Sequence, residues 1–281
     1  MRRRLLGLIA ITLSTVLFLG GCGTSASSKE ASPVVSEEQI FRVGMEAGYA
    51  PFNWTQKDEA NNGVNIEGSA EYAGGYDVEI ARQIAEGLGK KLVIVKTEWD
   101  GLVPALTSGK IDAIIAGMSP TAERKETIDF SDNYYKSDLV MVVKKGGKYE
   151  SASSIKDFQG AKITAQLNTF HYSVIDQIQG VEKQPAMDNF PAMRVALESG
   201  IIDGYVSERP EGVSSELANS NFRVIEFKDG FITSDDDTAI AVGVAKNSDL
   251  VAKINTILSG ISEEQRRAIM DKAIKNQPAA N

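Results

Sequence analysis

Residues 111–135 read IDAIIAGMSPTAERKETIDFSDNYY, and the order of signals in that string sets the frame for the rest of the chain. The apolar run Ile111–Ala116 predicts a short buried strand, broken at Gly117. Ser119 and Pro120 then predict a helix start, because a serine hydroxyl accepts from the orphan N–H groups of a first turn and proline pre-sets φ for the first helical position. A strand that feeds a helix this way aims free N–H groups and a positive dipole end beyond the strand tip, which suits an anion. Arg124 falls within the first turns, where the same dipole disfavours a cation. Two readings stay open. Glu123, Arg124, Lys125 and Glu126 are a solvated charged face, or Arg124 is there to grip a carboxylate with its planar fork.

Outward from this string the pattern alternates. Toward the N-terminus lie a strand from Ile40 to Met45, a helix opening at Asp77, and a strand from Leu92 to Lys96. The helix shows apolar Val78, Ala81, Ile84, Ala85 and Leu88 at spacings of three and four, and it ends at Gly89. A helix over 101–108 then leads into Ile111–Ala116, and the βαβ alternation predicts a parallel sheet with right-handed crossovers. Residues 56–75 are polar and glycine-rich and read as a hairpin or long loop. Toward the C-terminus come a strand over 162–166, helices over 170–178 and 191–198, and a strand over 201–207. A final strand over 239–245 precedes helices over 249–259 and 262–275.

The two halves share a local string. Leu106-Thr-Ser-Gly109-Lys-Ile-Asp112-Ala-Ile-Ile and Leu197-Glu-Ser-Gly200-Ile-Ile-Asp203-Gly-Tyr-Val each run helix end, turn, aspartate, strand. Read as a repeat, this predicts two similarly wound lobes rather than one sheet; the alternative is chance matching of common turn residues. Ligands of open α/β sheets sit beyond the carboxyl ends of the strands. Two lobes facing each other at those ends bring Ser119 and Arg124 opposite Thr169 and Glu208.

The N-terminus carries a different message. Arg2, Arg3 and Arg4 precede an apolar run to Leu19, and Leu19-Gly20-Gly21-Cys22 contains the one cysteine of the chain. The run reads as a secretory signal, and the tetrapeptide resembles a bacterial lipobox, whose cysteine is lipidated. A transmembrane anchor is the rival, although the run is short for a span of about 20 residues. Residues 23–38 are rich in Ser, Ala and Thr and read as a flexible tether. The net charge is −8 before removal of the three leader arginines; nucleic acid is therefore an unexpected partner and a cationic ligand a mildly favoured one.

Four motifs carry a family resemblance over residues 40–275: Gly75-Tyr-Asp-Val-Glu-Ile-Ala81, Trp99-Asp-Gly-Leu-Val-Pro-Ala-Leu106, Gly117-Met-Ser-Pro-Thr-Ala-Glu-Arg124 and Asp129-Phe-Ser-Asp132. The chain resembles the substrate-binding lipoprotein of a polar amino-acid ABC importer, a family 3 solute-binding protein. The resemblance implies an α/β, two-lobe type II periplasmic-binding-protein fold, each lobe a mainly parallel sheet flanked by helices, joined by two hinge strands. The implied layout is a signal peptide over 1–21, a lipidated Cys22 with a tether over 22–39, lobe 1 over 40–138 and 234–281, and lobe 2 over 139–233.

The resemblance further implies that Arg124 and the backbone N–H groups of Ser119, Thr121 and Thr169 hold a ligand α-carboxylate. The Gly117 carbonyl, the Ser119 hydroxyl and Glu208 meet its α-amino group, and Glu46, Tyr49 and Trp99 surround its side chain. Glu208 stands where the family usually has aspartate, and Leu167-Asn168 where it usually has Gly and Ser or Thr. A cationic Lys, Arg or His is the favoured ligand, with a glutamine or other polar neutral binder as the alternative. An enzyme of the same fold, dehydratase-like, is the alternative of another class, but no nucleophile with an adjacent base is visible in the sequence. His171, the single histidine, reads as a surface or capping residue. No cofactor or metal is expected. The implied partners are a free amino acid, the ABC permease and, through Cys22, the outer face of the cytoplasmic membrane of a monomeric protein's host, a Gram-positive cell surface being favoured over a periplasm.

Overall fold

The apolar run at Ile111–Ala116 takes the centre of a five-stranded sheet, with its ladder contracted to Ala113–Ile114. Its flanks remain buried backbone, and the Ile115 N–H still reaches Gly44 O at 3.3 Å. The computed structural model describes residues 39–278, all within one compact unit. The leader, Cys22 and nearly all of the tether lie outside the described residues.

The first sheet runs Lys91–Lys96, Ile40–Met45, Ala113–Ile114, Ala239–Ala245, Ile128–Lys136. Its first two pairings are parallel and its last two antiparallel. The second sheet runs Glu182–Lys183, Lys162–Thr164, Gly204–Glu208, Leu139–Lys144, Phe222–Glu226, again with two parallel pairings followed by two antiparallel ones. The strands that follow the shared string, Ala113–Ile114 and Gly204–Glu208, hold the same central position in their sheets. The chain passes from the first sheet to the second between Lys136 and Leu139, and returns between Glu226 and Ala239.

Residues 56–75, expected as a hairpin or loop, contribute to a small four-stranded sheet of Gly48–Tyr49, Asn53–Gln56, Tyr72–Gly74 and Val64–Asn65. Short strands of two to four residues leave little periodicity to read. The helix expected from Asp77 runs Tyr76–Gly87, with buried Val78, Ala81, Ile84 and Ala85 turned to the core. Gly75 precedes it at φ 123°, and a Cβ there would lie 2.4 Å from Phe52 O, so only glycine fits.

The helix after the central strand starts later than expected. It spans Ala122–Thr127, and its N-cap is Thr121 rather than Ser119. The Thr121 hydroxyl accepts from the Arg124 N–H at 3.4 Å, whereas the Ser119 hydroxyl donates to Asp237 O at 2.8 Å. Ser119 is thus tied to the returning connection between the sheets, and with Pro120 it forms the approach to the helix.

The two sheets share core where they meet. Tyr49 of the first lobe stacks on Phe190 of the second, with centroids 4.3 Å apart and planes 12° from parallel. Phe190, Leu197 and Tyr205 belong to the same buried cluster as Tyr49, Phe52 and Tyr76.

Candidate functional site

The carboxyl ends of the two central strands converge on one cleft. Of the residues expected there, Tyr49, Trp99, Gly117, Ser119, Arg124, Thr169 and Glu208 line it. Gln166, Phe170 and His171 complete the wall. Thr121 and Glu46 are not among the lining residues: Thr121 caps its helix, and Glu46 faces a neighbouring groove with Lys96, Glu98, Asn189 and Arg194.

On the first-lobe side, the backbone delivers the cation. The Thr121 cap and the short helix place Arg124 so that Nη1 donates to Ser119 O at 2.9 Å and Nη2 donates to Asn168 O, across the cleft, at 2.9 Å. The guanidinium carbon lies 5.0 Å from the Trp99 ring centroid, a cation–π contact. Trp99, expected beside the ligand side chain, is therefore engaged with Arg124. Burial pushes the guanidinium down to about 10 against the opposing field of Glu123. Among the described residues no carboxylate forms an ion pair with it, so its charge is met by two carbonyl dipoles and the Trp99 ring.

Gly117 sits at φ 64°, and a Cβ there would lie 2.6 Å from Tyr49 Cε1. The missing side chain lets the tyrosine ring lie against the strand tip. Behind the loop, the Gly117 N–H donates to the Tyr134 hydroxyl at 3.3 Å, and that hydroxyl donates to Asp77 Oδ1 at 2.8 Å. Asn53 Nδ2 donates to Asp77 Oδ2 at 2.8 Å. Asp77 is fully buried, which raises its carboxyl to about 7 although Asn53 and Tyr134 oppose the shift. The helix-opening aspartate of the sequence is thus the footing of the Gly117 loop.

On the second-lobe side, Thr169 Oγ1 donates to Gln166 O at 2.7 Å and closes the turn before the helix Phe170–Val174. Asn168 adopts φ 54°, a conformation that asparagine tolerates better than most residues. Its amide donates to Asp100 Oδ1 at 2.9 Å, a second bond between the lobes. Glu208 ends the strand Gly204–Glu208 and is 2% exposed. Its Oε2 accepts from the Tyr49 hydroxyl, and its Oε1 lies 2.8 Å from His171 Nε2, at ion-pair distance without hydrogen-bond alignment. Burial raises this carboxyl, but His171, Tyr49 and its own N–H outweigh that and hold it below the usual range.

His171 corrects the sequence reading. It is 5% exposed and faces Glu208, not the surface. Nothing in its own helix reports this, because the partner carboxylate, Glu208, lies 37 residues further along the chain.

Gln166 is the second residue that the sequence reading missed. Its amide donates at 3.0 Å both to Glu46 Oε1 and to Asp188 O. Glu46 therefore stands one side chain behind the cleft wall. Burial raises its carboxyl to about 7, with Gln166 opposing and Glu98 and Asp100 adding to the rise. Its Oε2 is buried without a partner.

The chain as a whole is similar to known proteins. The family described as bacterial extracellular solute-binding proteins, family 3, matches residues 41–276. A probable histidine-binding protein of Campylobacter jejuni is 32% identical over 71% of this chain and 76% of its own length. An arginine-binding extracellular protein of Bacillus subtilis is 28% identical over 94% of each chain. Among solved structures, an amino acid ABC transporter substrate-binding protein of Streptococcus pneumoniae bound to L-arginine superposes with a TM-score of 0.73 at 28% identity, covering 85% of this chain and 95% of its own. With a match across most of its length, two repeated lobes and one cleft between their strand tips, this chain belongs to family 3 of the bacterial extracellular solute-binding proteins.

Proposed function

We propose that the chain captures a free polar amino acid between its lobes, cationic Lys, Arg or His being favoured, and delivers it to an ABC permease. The observation that carries this reading is the pairing of Arg124 and Glu208, a cation and an anion from different sheets, on one cleft. A zwitterion satisfies both: its carboxylate suits the guanidinium fork, and its ammonium suits Glu208. Ser119, Thr121 and Thr169 are read as carboxylate donors through their backbone N–H groups, and the Gly117 carbonyl as an acceptor for the ammonium. Because each charge comes from a different lobe, occupancy favours the closed pair over separated lobes.

The cationic preference draws support from Glu46, with Glu98 and Asp100 beside it, beyond Gln166. The names of the histidine-binding and arginine-binding relatives point the same way. A glutamine reading is favoured by one observation: a carboxyl titrating near 7 is partly neutral at physiological pH and can bond an amide. A glutamine-binding relative of Bacillus subtilis is 28% identical over 99% of each chain. We read the site as binding rather than converting its ligand, since Arg124 and Glu208 are both committed to ligand charges. Residues 1–21 as a signal peptide and Cys22 as a lipid anchor complete the proposal. The product is a monomer on the outer face of the cytoplasmic membrane, with a Gram-positive surface favoured. A Cys22→Ala chain that still fractionates with membranes would overturn the anchor.

The main test is a thermal-shift panel of the common amino acids, with analysis of the recovered ligand. A ligand at about 100 times its Kd stabilises the native state by about 2.7 kcal/mol. A panel in which no amino acid raises Tm, or recovery of a converted product, sinks this reading.

A further inference from the structure

Glu208 is a buried carboxylate with a neighbour at each oxygen, the Tyr49 hydroxyl donating to Oε2 and the His171 imidazole at ion-pair distance from Oε1. Tyr49 comes from the first lobe. Its ring is held between Phe190 at 4.3 Å and Phe52 at 4.9 Å, and its neutral hydroxyl crosses the lobe boundary to Oε2. His171 belongs to the same lobe as Glu208, the second residue of the helix that starts after Thr169, with its ring 4.3 Å from that of Phe170. A ligand ammonium that reaches Glu208 must share or replace one of these neighbours, because the carboxylate is buried and each of its oxygens already has a side chain against it. A charged donor outbids a neutral hydroxyl for a carboxylate. The hydroxyl is also the donor that leaves if the lobes part.

We infer that His171 is a positioning residue of the amino-acid site, fixing Glu208 through Oε1, while the Tyr49 hydroxyl is a place-holder on Oε2 that the ligand's α-ammonium displaces. The inference rests on the reading of the cleft as an amino-acid site. It assigns His171 a role for one end of the ligand only. A ligand lacking the α-amino group gains nothing from a correctly held Glu208, whereas its carboxylate still finds Arg124.

The test compares each amino acid with its des-amino analogue by calorimetry: L-arginine with 5-guanidinopentanoate, and L-glutamine with glutaramate. His171→Asn keeps a polar side chain that cannot reach Oε1; His171→Gln places its amide nitrogen near the position of Nε2. The expected result is that His171→Asn lowers the preference for the amino acid over its analogue about tenfold, the scale of one hydrogen bond to a charged group, and that His171→Gln restores most of it. Tyr49→Phe is expected to raise affinity for the amino acid, since no hydroxyl has to leave. The preference is a ratio measured on one sample, so a partly folded variant still reports it, and Tyr49→Phe decides should His171→Asn not fold. Equal loss for both compounds, no change in the ratio, or weaker amino-acid binding by Tyr49→Phe overturns the inference. A wild-type chain that binds neither amino acid overturns instead the reading of the cleft.

Discussion

The two walls of the cleft solve the problem of a buried charge in opposite ways. On the first lobe, Arg124 is surrounded by backbone carbonyls and an indole face, with no anion paired to it among the described residues. On the second, Glu208 is flanked by two side chains, the Tyr49 hydroxyl donating to one oxygen and the His171 imidazole at ion-pair distance from the other. Carbonyl dipoles hold a guanidinium in place while leaving its charge unneutralised, so this wall is ready for an anion. Side chains packed against both oxygens of a carboxylate must be rearranged before it can take another partner. On the proposed reading of the cleft, the difference makes carboxylate recognition preorganised and ammonium recognition an exchange. Affinity should therefore depend most on the first wall and selectivity on the second.

The largest expected effect comes from removing the preorganised wall. Arg124→Ala should weaken amino-acid binding by about 100-fold or more, the scale of truncating one partner of a buried charge pair, with the unliganded melting curve little changed. Arg124→Lys should also bind poorly, because an ammonium cannot span two carboxylate oxygens. Near-normal affinity in calorimetry for either variant would erase the contrast between the walls.

A smaller and selective effect is expected at Glu46. Its carboxyl titrates near 7, so below that pH a cationic ligand tip must first displace a proton. Affinity for arginine should rise with pH up to about 7 and then level, while affinity for glutamine stays flat. Glu46→Gln should remove the pH dependence and cost arginine about tenfold; equal losses for both ligands would take Glu46 out of side-chain selection.

The smallest effect concerns the footing of the first wall. Asp77 has its folded carboxyl raised from 3.8 to about 7. The folded state thus holds this proton more tightly than the unfolded chain does. Its stabilising contribution is complete at low pH and is lost as pH rises toward 7. Tm should fall by about 3 °C or more between pH 5 and pH 8, and Asp77→Asn should reduce the slope, with the raised carboxyl of Glu46 supplying part of what remains. A variant with the wild-type slope would move the titration elsewhere.

Much of this arrangement was legible in the residues. The apolar spacing of Val78, Ala81, Ile84 and Ala85 and the uninterrupted run at 239–245 are local signals, and the elements stand there. The repeat of Leu106–Ile115 in Leu197–Val206 was a fair guide to two centrally placed strands. Leu139–Lys144 was not read, because a strand buried on both faces is a bare apolar run without period. Ile128–Lys136 was missed for the opposite reason. It is an edge strand rich in polar and exposed residues, and its charges resemble those of a helix face. The position of Arg124 could be inferred from its motif, but its partners could not. Trp99 on the guanidinium, Tyr49 and His171 on Glu208, and Asp77 beneath Gly117 are contacts between elements far apart in sequence.

The return connection between the sheets carries a mechanical implication. Its short helix Asp235–Thr238 is capped by Ser234 and is stitched to the first lobe by Lys125 on Asp236, Lys136 on Asp235 and the Ser119 hydroxyl on the Asp237 carbonyl. Ser119 in turn offers its own carbonyl to Arg124. One of the two connections between the lobes is thereby fastened to the rim that carries Arg124. A pull applied from outside to residues 234–238 would arrive at the guanidinium through two bonds, a direct line along which a docked transporter could loosen what the cleft holds.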